Sequence, residues 1–116
     1  MKLTQLTKSR PTQATIEVLG EPIVVTYDRA MITSKFFAGR VGTPVRSTLA
    51  EILISWDVTG DDGKPYVPPA SANGSRPAAW LALFEPIPED VIMAVYRGLL
   101  DDFYAGKPAG DDSSAS

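Results

Sequence analysis

The chain predicts an α+β fold: an N-terminal β-hairpin followed by three to four α-helices, mainly helical overall. Three features predict it. Apolar and polar residues alternate across residues 14–27, on both sides of Gly20-Glu21-Pro22. From residue 43 onward the apolar spacing widens to helical periods. A cluster of Asp, Gly and Pro between residues 57 and 69 then separates one helical pattern from the next. With 116 residues, 44% hydrophobic and 22% charged, the composition suits one modest core rather than two domains or a disordered chain.

Residues 1–13 are polar, include Pro11, and read as a flexible N-terminal arm. The folded domain is expected over 14–106. In its hairpin, 14–27, Ile16 and Val18 point one way and Thr15 and Glu17 the other, while Ile23 to Tyr27 form a second, β-branched run. Asp28 is a turn or cap residue. Thr33 offers a cap for a short helix bearing Phe36 and Phe37, with Gly39 and Gly42 as stops. Thr43-Pro44 opens a helix over 44–56, with Thr as N-cap and Pro in the first turn. Val45, Leu49, Ile52, Leu53 and Trp56 share one face of it.

A loop over 57–76 follows, long enough that it must be a packed excursion or a mobile segment. Ser75 can cap a helix over 77–85 carrying Trp80, Leu81, Leu83 and Phe84. Pro86 and Pro88 break that helix. The last one, 88–105, begins with Glu89 and Asp90, where the helix dipole favours acids. Val91, Ile92, Val95, Tyr96, Leu99, Leu100 and Phe103 form its apolar stripe, and Gly106 is its stop signal. Residues 107–116 have the composition of a disordered tail.

Several functional classes lose support at once. The chain has no cysteine, which removes disulfides and thiolate chemistry, and no histidine, which removes the commonest general base and metal ligand. No apolar run approaches the roughly 18 residues of a membrane span, and the N-terminus has no apolar core of a secretory signal. Charge divides unevenly, net +3 over residues 1–56 and net −6 over residues 57–116. An acidic half without a basic stripe argues against nucleic acid as partner, and it either keeps the surface solvated or faces a basic protein.

Asp57, Thr59 and Asp61 sit at positions 1, 3 and 5 of a calcium-loop spacing. The required glycine is Asp62, however, and the closing glutamate is Pro68, so a helix-terminating Asx/Gly turn is the better reading. No serine stands in a nucleophile motif with a lysine base, and no glycine-rich phosphate loop occurs. No catalytic residue, cofactor or metal is therefore expected. The aromatics remain. Core packing explains each of them singly, but burying them all in so small a domain is demanding. Any surplus exposed on 77–104 would make a docking groove, and Trp80, Phe84, Tyr96, Phe103 and Tyr104 are its candidate partner-binding residues.

The order of motifs sharpens this reading. The hairpin ATIEVLGEPIVVTYD (14–28) precedes a helix ending in ILISWD (52–57). An acidic DDG turn and prolines follow, and FEPIPEDVIMAVYRGLLDDFY (84–104) closes the series. This succession resembles the small phage tail assembly chaperones. The resemblance implies a non-catalytic protein that binds the tape measure protein and keeps its apolar helices soluble while tail-tube protein assembles around it. It also implies action in the host cytoplasm, absence from the finished virion, and a longer form made by frameshifting, with which Gly106-Lys107-Pro108 is compatible. Self-association into a homo-oligomer is left open. The alternative is a structural virion component, such as a head–tail connector or tail-completion protein, which would share the size and the α+β mix.

Overall fold

Residues 1–69 and 76–105 are described by the computed structural model. The period-two segment forms the expected hairpin, from β1 (Pro11–Val18) and β2 (Glu21–Asp28), with Ala14 opposite Val25 and Ile16 opposite Ile23. Leu19 and Gly20 make the connecting turn at φ 55° and 80°. Two successive positive-φ residues match the right-handed twist of the strands, and glycine takes the second place without strain. β1 begins at Pro11, three residues earlier than the alternation suggested. Proline is tolerated at the start of an edge strand, where its missing N–H is not needed. Within the arm, Leu3–Leu6 forms a single exposed helical turn, α1.

Asp28 caps the next segment. Its carboxylate accepts from the Ala30 N–H (3.0 Å) and the Arg10 N–H (2.9 Å), and the Ser9 hydroxyl donates to it (2.9 Å). A 3₁₀ turn, Arg29–Met31, leads to α2 (Ser34–Ala38), which Thr33 caps by accepting from the Phe36 N–H at 3.0 Å.

The helix expected over 44–56 is the main correction. α3 runs from Val45 to Ile52, with Pro44 rather than Thr43 at the N-cap position and no side-chain capping bond. Leu53–Trp56 is instead a strand, β3, antiparallel to β2, pairing Tyr27 with Leu53, Thr26 with Ser55 and Val25 with Trp56. The sheet order is β1-β2-β3. The reason lies outside the segment. A hairpin alone leaves one edge of β2 unpaired beside the core, and Leu53 to Trp56 satisfy it while burying Leu53 and Trp56. The register shift at Thr26/Tyr27 buries residues three apart, which imitates a helical period in the sequence.

Asp57 prolongs the pairing, donating its N–H to the Val24 carbonyl and accepting the Val24 N–H on its carboxylate. In the turn beyond, the Asp62 carboxylate accepts the Lys64 N–H, as expected of an Asx turn, and Gly63 takes φ 80°. The described part of the loop is packed. Trp56 Nε1 donates to the Tyr66 carbonyl at 2.7 Å, and the Tyr66 hydroxyl donates to the Leu83 carbonyl at 2.5 Å.

α4 (Arg76–Phe84) and α5 (Glu89–Ala105) lie within a residue of the bounds expected for the last two helices. The Ser75 cap, the Gly106 stop and the tail 107–116 fall outside the described residues. Arg46 fixes the α4–α5 junction to α3, donating to the Phe84 carbonyl (2.7 Å), the Ile87 carbonyl (3.0 Å) and Glu89 (2.8 Å). Trp80 and Phe84 stack at 5.5 Å, and Trp56 meets Trp80 edge-on at 5.2 Å. This aromatic cluster joins Val25, Tyr27, Leu49, Ile92, Val95 and Leu99 in one core between sheet and helices. α5 crosses β1 at Gly98, where a Cβ would approach Ile16 Cγ2 to 2.4 Å. The architecture is α+β, with a three-stranded antiparallel sheet and five α-helices among the described residues.

Candidate functional site

α5 is the element that carries the site, because its apolar residues serve two directions. Ile92, Val95 and Leu99 point into the core and are at most 1% exposed. A second set lies on the outer face. Met93, Tyr96, Leu100 and Tyr104, with Arg97 and Asp101 alongside and Val45 of α3 across from them, line an open groove of about 330 Å³. Tyr104 is 64% exposed at its far end, whereas Met93, Tyr96 and Leu100 are partly buried. The Phe103 and Tyr104 rings meet edge-on at 5.2 Å, which helps to orient Tyr104. Burial, reinforced by the neighbouring Tyr104, raises the Tyr96 phenol above its ordinary pKa, so its hydroxyl is protonated at neutral pH. The groove thus offers an apolar floor, two phenol rings and one charge of each sign at the rim.

The five partner-binding candidates separate. Trp80 and Phe84 are 0% exposed and belong to the core, so neither ring is presented at the surface. They are buried because α4 is covered by α3 and by the loop that Trp56 and Tyr66 fasten down. Phe103 is partly buried under the Arg29 guanidinium, 4.8 Å from the ring centre, and does not line the groove. Tyr96 and Tyr104 do line it, together. Sequence reasoning missed Met93 and Val45 and assigned Leu100 to the core stripe. The signal was present in the spacing of residues 93, 96, 100 and 104, a second stripe displaced around α5 from the first.

A second polar group lies at the C-terminal end of α5. The Tyr27 hydroxyl donates to Asp102 at 2.7 Å and accepts from Arg29 at 2.7 Å, and Arg29 also donates to the Phe103 carbonyl at 2.6 Å. Burial, and then the hydrogen bond to the Asp102 carboxylate, push the Tyr27 phenol far above its usual range. It is therefore neutral at physiological pH, and Tyr27 is 0% exposed. The hydroxyl, the carboxylate and the guanidinium are bonded to one another. Chemically this is a clamp that fastens the end of α5 to β2. Arg40 and Glu51 form a comparable ion pair between the residues after α2 and α3.

The acidic turn holds no metal-sized cluster. Asp57 and Asp62 are engaged by backbone N–H groups, and among the described residues no three carboxylates converge. No helix among the described residues is long and apolar enough to cross a membrane. Comparisons with protein-family models, with curated proteins and with solved structures find nothing that matches this chain.

Proposed function

We propose that this protein is a non-catalytic assembly chaperone of the phage-tail type, which holds apolar helical segments of a tape measure protein in the outer groove of α5. One observation carries the reading. After the core is filled, α5 still presents an apolar stripe two to three turns long, the footprint with which an amphipathic helix is gripped at i, i+3/i+4 and i+7 spacing. Apolar burial is worth roughly 25 cal/mol per Å². Covering so few side chains gives only a modest gross stabilisation, and association costs leave at most a weak, reversible contact. Weak repeated contact suits a protein that must let go as tail-tube subunits arrive.

Two further features support it. The motif order from the hairpin through Ser55-Trp56-Asp57 to the last helix resembles that family, and residues 57–116 carry net charge −6, which keeps a complex with an apolar partner dispersed. On this reading the protein acts in the host cytoplasm, meets tail-tube protein as well as tape measure, and leaves before the virion is complete. A frameshifted longer form belongs to the same proposal.

The test is co-expression with the tape measure protein of the same genome, scored by soluble yield. Wild type raises that yield, and Leu100→Ser with Tyr104→Ala loses most of the effect while the protein itself stays soluble. Equal rescue by the double variant contradicts a role for the groove. Recovery of the protein from purified particles at ring-like stoichiometry would instead support a connector or tail-completion component.

A further inference from the structure

We propose that the N-terminal arm is a strap for the α5 groove: residues 1–8 fold back over its Leu100–Tyr104 end, set Leu3 and Leu6 on the apolar floor, and must be displaced by a bound helix. The proposal rests on the groove being the helix site described above. The arm carries apolar surface with nothing to cover it. Met1, Leu3 and Leu6 are 94%, 73% and 60% exposed, and none of them joins the core. Leu19 and Val41 are exposed too, but each stands singly in a turn. Leu3 and Leu6, by contrast, lie one turn apart on the same side of α1. Four residues are too few for a helix to persist in water unaided, so this turn needs a surface beneath its leucines.

The fold roots the arm beside that surface. Gly98 meets Ile16, while Asp102 bonds Tyr27, the β2 partner of Thr12. α5 therefore runs along β1 toward the start of the strand, and its last turn ends where the arm begins. There Asp28 holds the arm at Ser9 and Arg10, and the adjoining Arg29 holds the Phe103 carbonyl. The eight residues ahead of Ser9 span about 26 Å when extended, or about 19 Å with α1 kept helical. From Met93 to Tyr104 the groove is about 17 Å long, so the arm reaches at least its nearer end.

Charge favours the same placement. Residues 1–10 include Lys2, Lys8 and Arg10 and no acid. Of the two charges on the groove rim, Asp101 lies nearer the arm's root, and its side chain has no hydrogen bond or ion pair among the described residues. Lys8, next to the root, is the residue placed to meet it. Arg97, one turn farther along α5, faces only the neutral Thr4 and Gln5 of the strap. A tether this short holds the arm near its own groove at a millimolar effective concentration, so weak contact suffices and a second copy competes poorly. The strap thus shields the groove part of the time and yields to a longer amphipathic helix.

The chain has no cysteine, so Thr4→Cys carries a single nitroxide whose broadening of amide signals reports the surface that the arm visits. In the full chain, broadening is expected at Tyr96 and Leu100 and at Val45 across the groove. Adding Leu3→Ser and Leu6→Ser should remove most of it while circular dichroism stays unchanged. Broadening there that is indifferent to the two leucines overturns the proposal, as does broadening confined to residues beside Ser9 and Asp28. When nitroxide-bearing protein is mixed with isotope-labelled, nitroxide-free protein, the groove signals should stay sharp. Broadening in that mixture equal to the effect within one chain would assign the arm to a second copy and overturn the proposal. These readouts use the protein alone, so they stand or fall separately from the helix-binding reading. With a tape measure segment, Leu3→Ser with Leu6→Ser should bind about threefold more tightly than wild type, because the competing strap is gone. Unchanged or weaker affinity would contradict competition for the groove.

Discussion

Two aromatic groups in this chain, one on α4 and one on the outer face of α5, are alike in composition and opposite in placement. Trp80 and Phe84 pack against Trp56 with no exposed surface, whereas Tyr96 and Tyr104 flank an open groove. What separates them is the cover above each helix. The loop through Tyr66 is hydrogen-bonded across α4, and nothing among the described residues crosses the outer face of α5. An aromatic residue on an amphipathic helix therefore reports on function only once the neighbouring elements are placed.

Replacing Trp80 with Ala should break the inner group. It leaves a large cavity, costs about 3–5 kcal/mol, and lowers the Tm steeply, so any loss of partner binding follows from unfolding. Trp80→Phe sharpens the point. The Trp80 indole N–H is buried without a partner among the described residues, and removing it relieves an unsatisfied donor, so this variant should cost much less than the alanine. Thermal denaturation of both distinguishes packing from polarity.

Next in size is Gly98→Ala, which bears on how closely α5 approaches the sheet. The new methyl meets Ile16 and should cost about 1–3 kcal/mol by overpacking. Ile16→Ala vacates the same space, so the double variant should be less destabilised than the sum of the singles. Additive effects in denaturant titrations would show that the contact is not tight.

Asp28 ends β2, next in sequence to the Tyr27 and Arg29 that hold the end of α5. Burial opposes its ionisation, but hydrogen bonds from Arg10, Ser9 and Ala30 outweigh it and lower the pKa below the ordinary 3.8. A lowered folded pKa contributes stability at neutral pH that fades as pH falls below that ordinary value. Asp28→Ala should cost about 1–2 kcal/mol at pH 7, and its difference from wild type should shrink in acid. The smallest effect on folding is expected at Tyr104. Truncating so exposed a ring should change stability by no more than about 0.5 kcal/mol, even though it removes one end of the groove.

Much of the fold was legible in residue pattern. The hairpin alternation, the Thr33 cap and the acidic start of α5 are local signals, and each matches an element of the structure. The α3–β3 junction was not legible, because Ile52, Leu53 and Trp56 satisfy a helical stripe and a bulged strand equally well. Only the vacant edge of β2 decides between them. The groove was half legible for a similar reason. Tyr96 and Tyr104 stood out as large rings, but Trp80 and Phe84 stood out equally, and the covering by Tyr66 and Trp56 depends on contacts distant in sequence. Met93 belongs to the second stripe of α5, but Val45 reaches the groove only through the packing of α3 against α5, which periodicity within one helix does not encode.

Hydrogen exchange on the protein with and without a bound tape measure segment addresses the central claim directly. If an apolar helix seats on the outer face of α5, protection should rise in Met93–Tyr104 and at the start of α3 around Val45, leaving α4 and the β1 edge unchanged. Unaltered exchange along α5, with new protection confined to the α4 segment around Trp80, would contradict it.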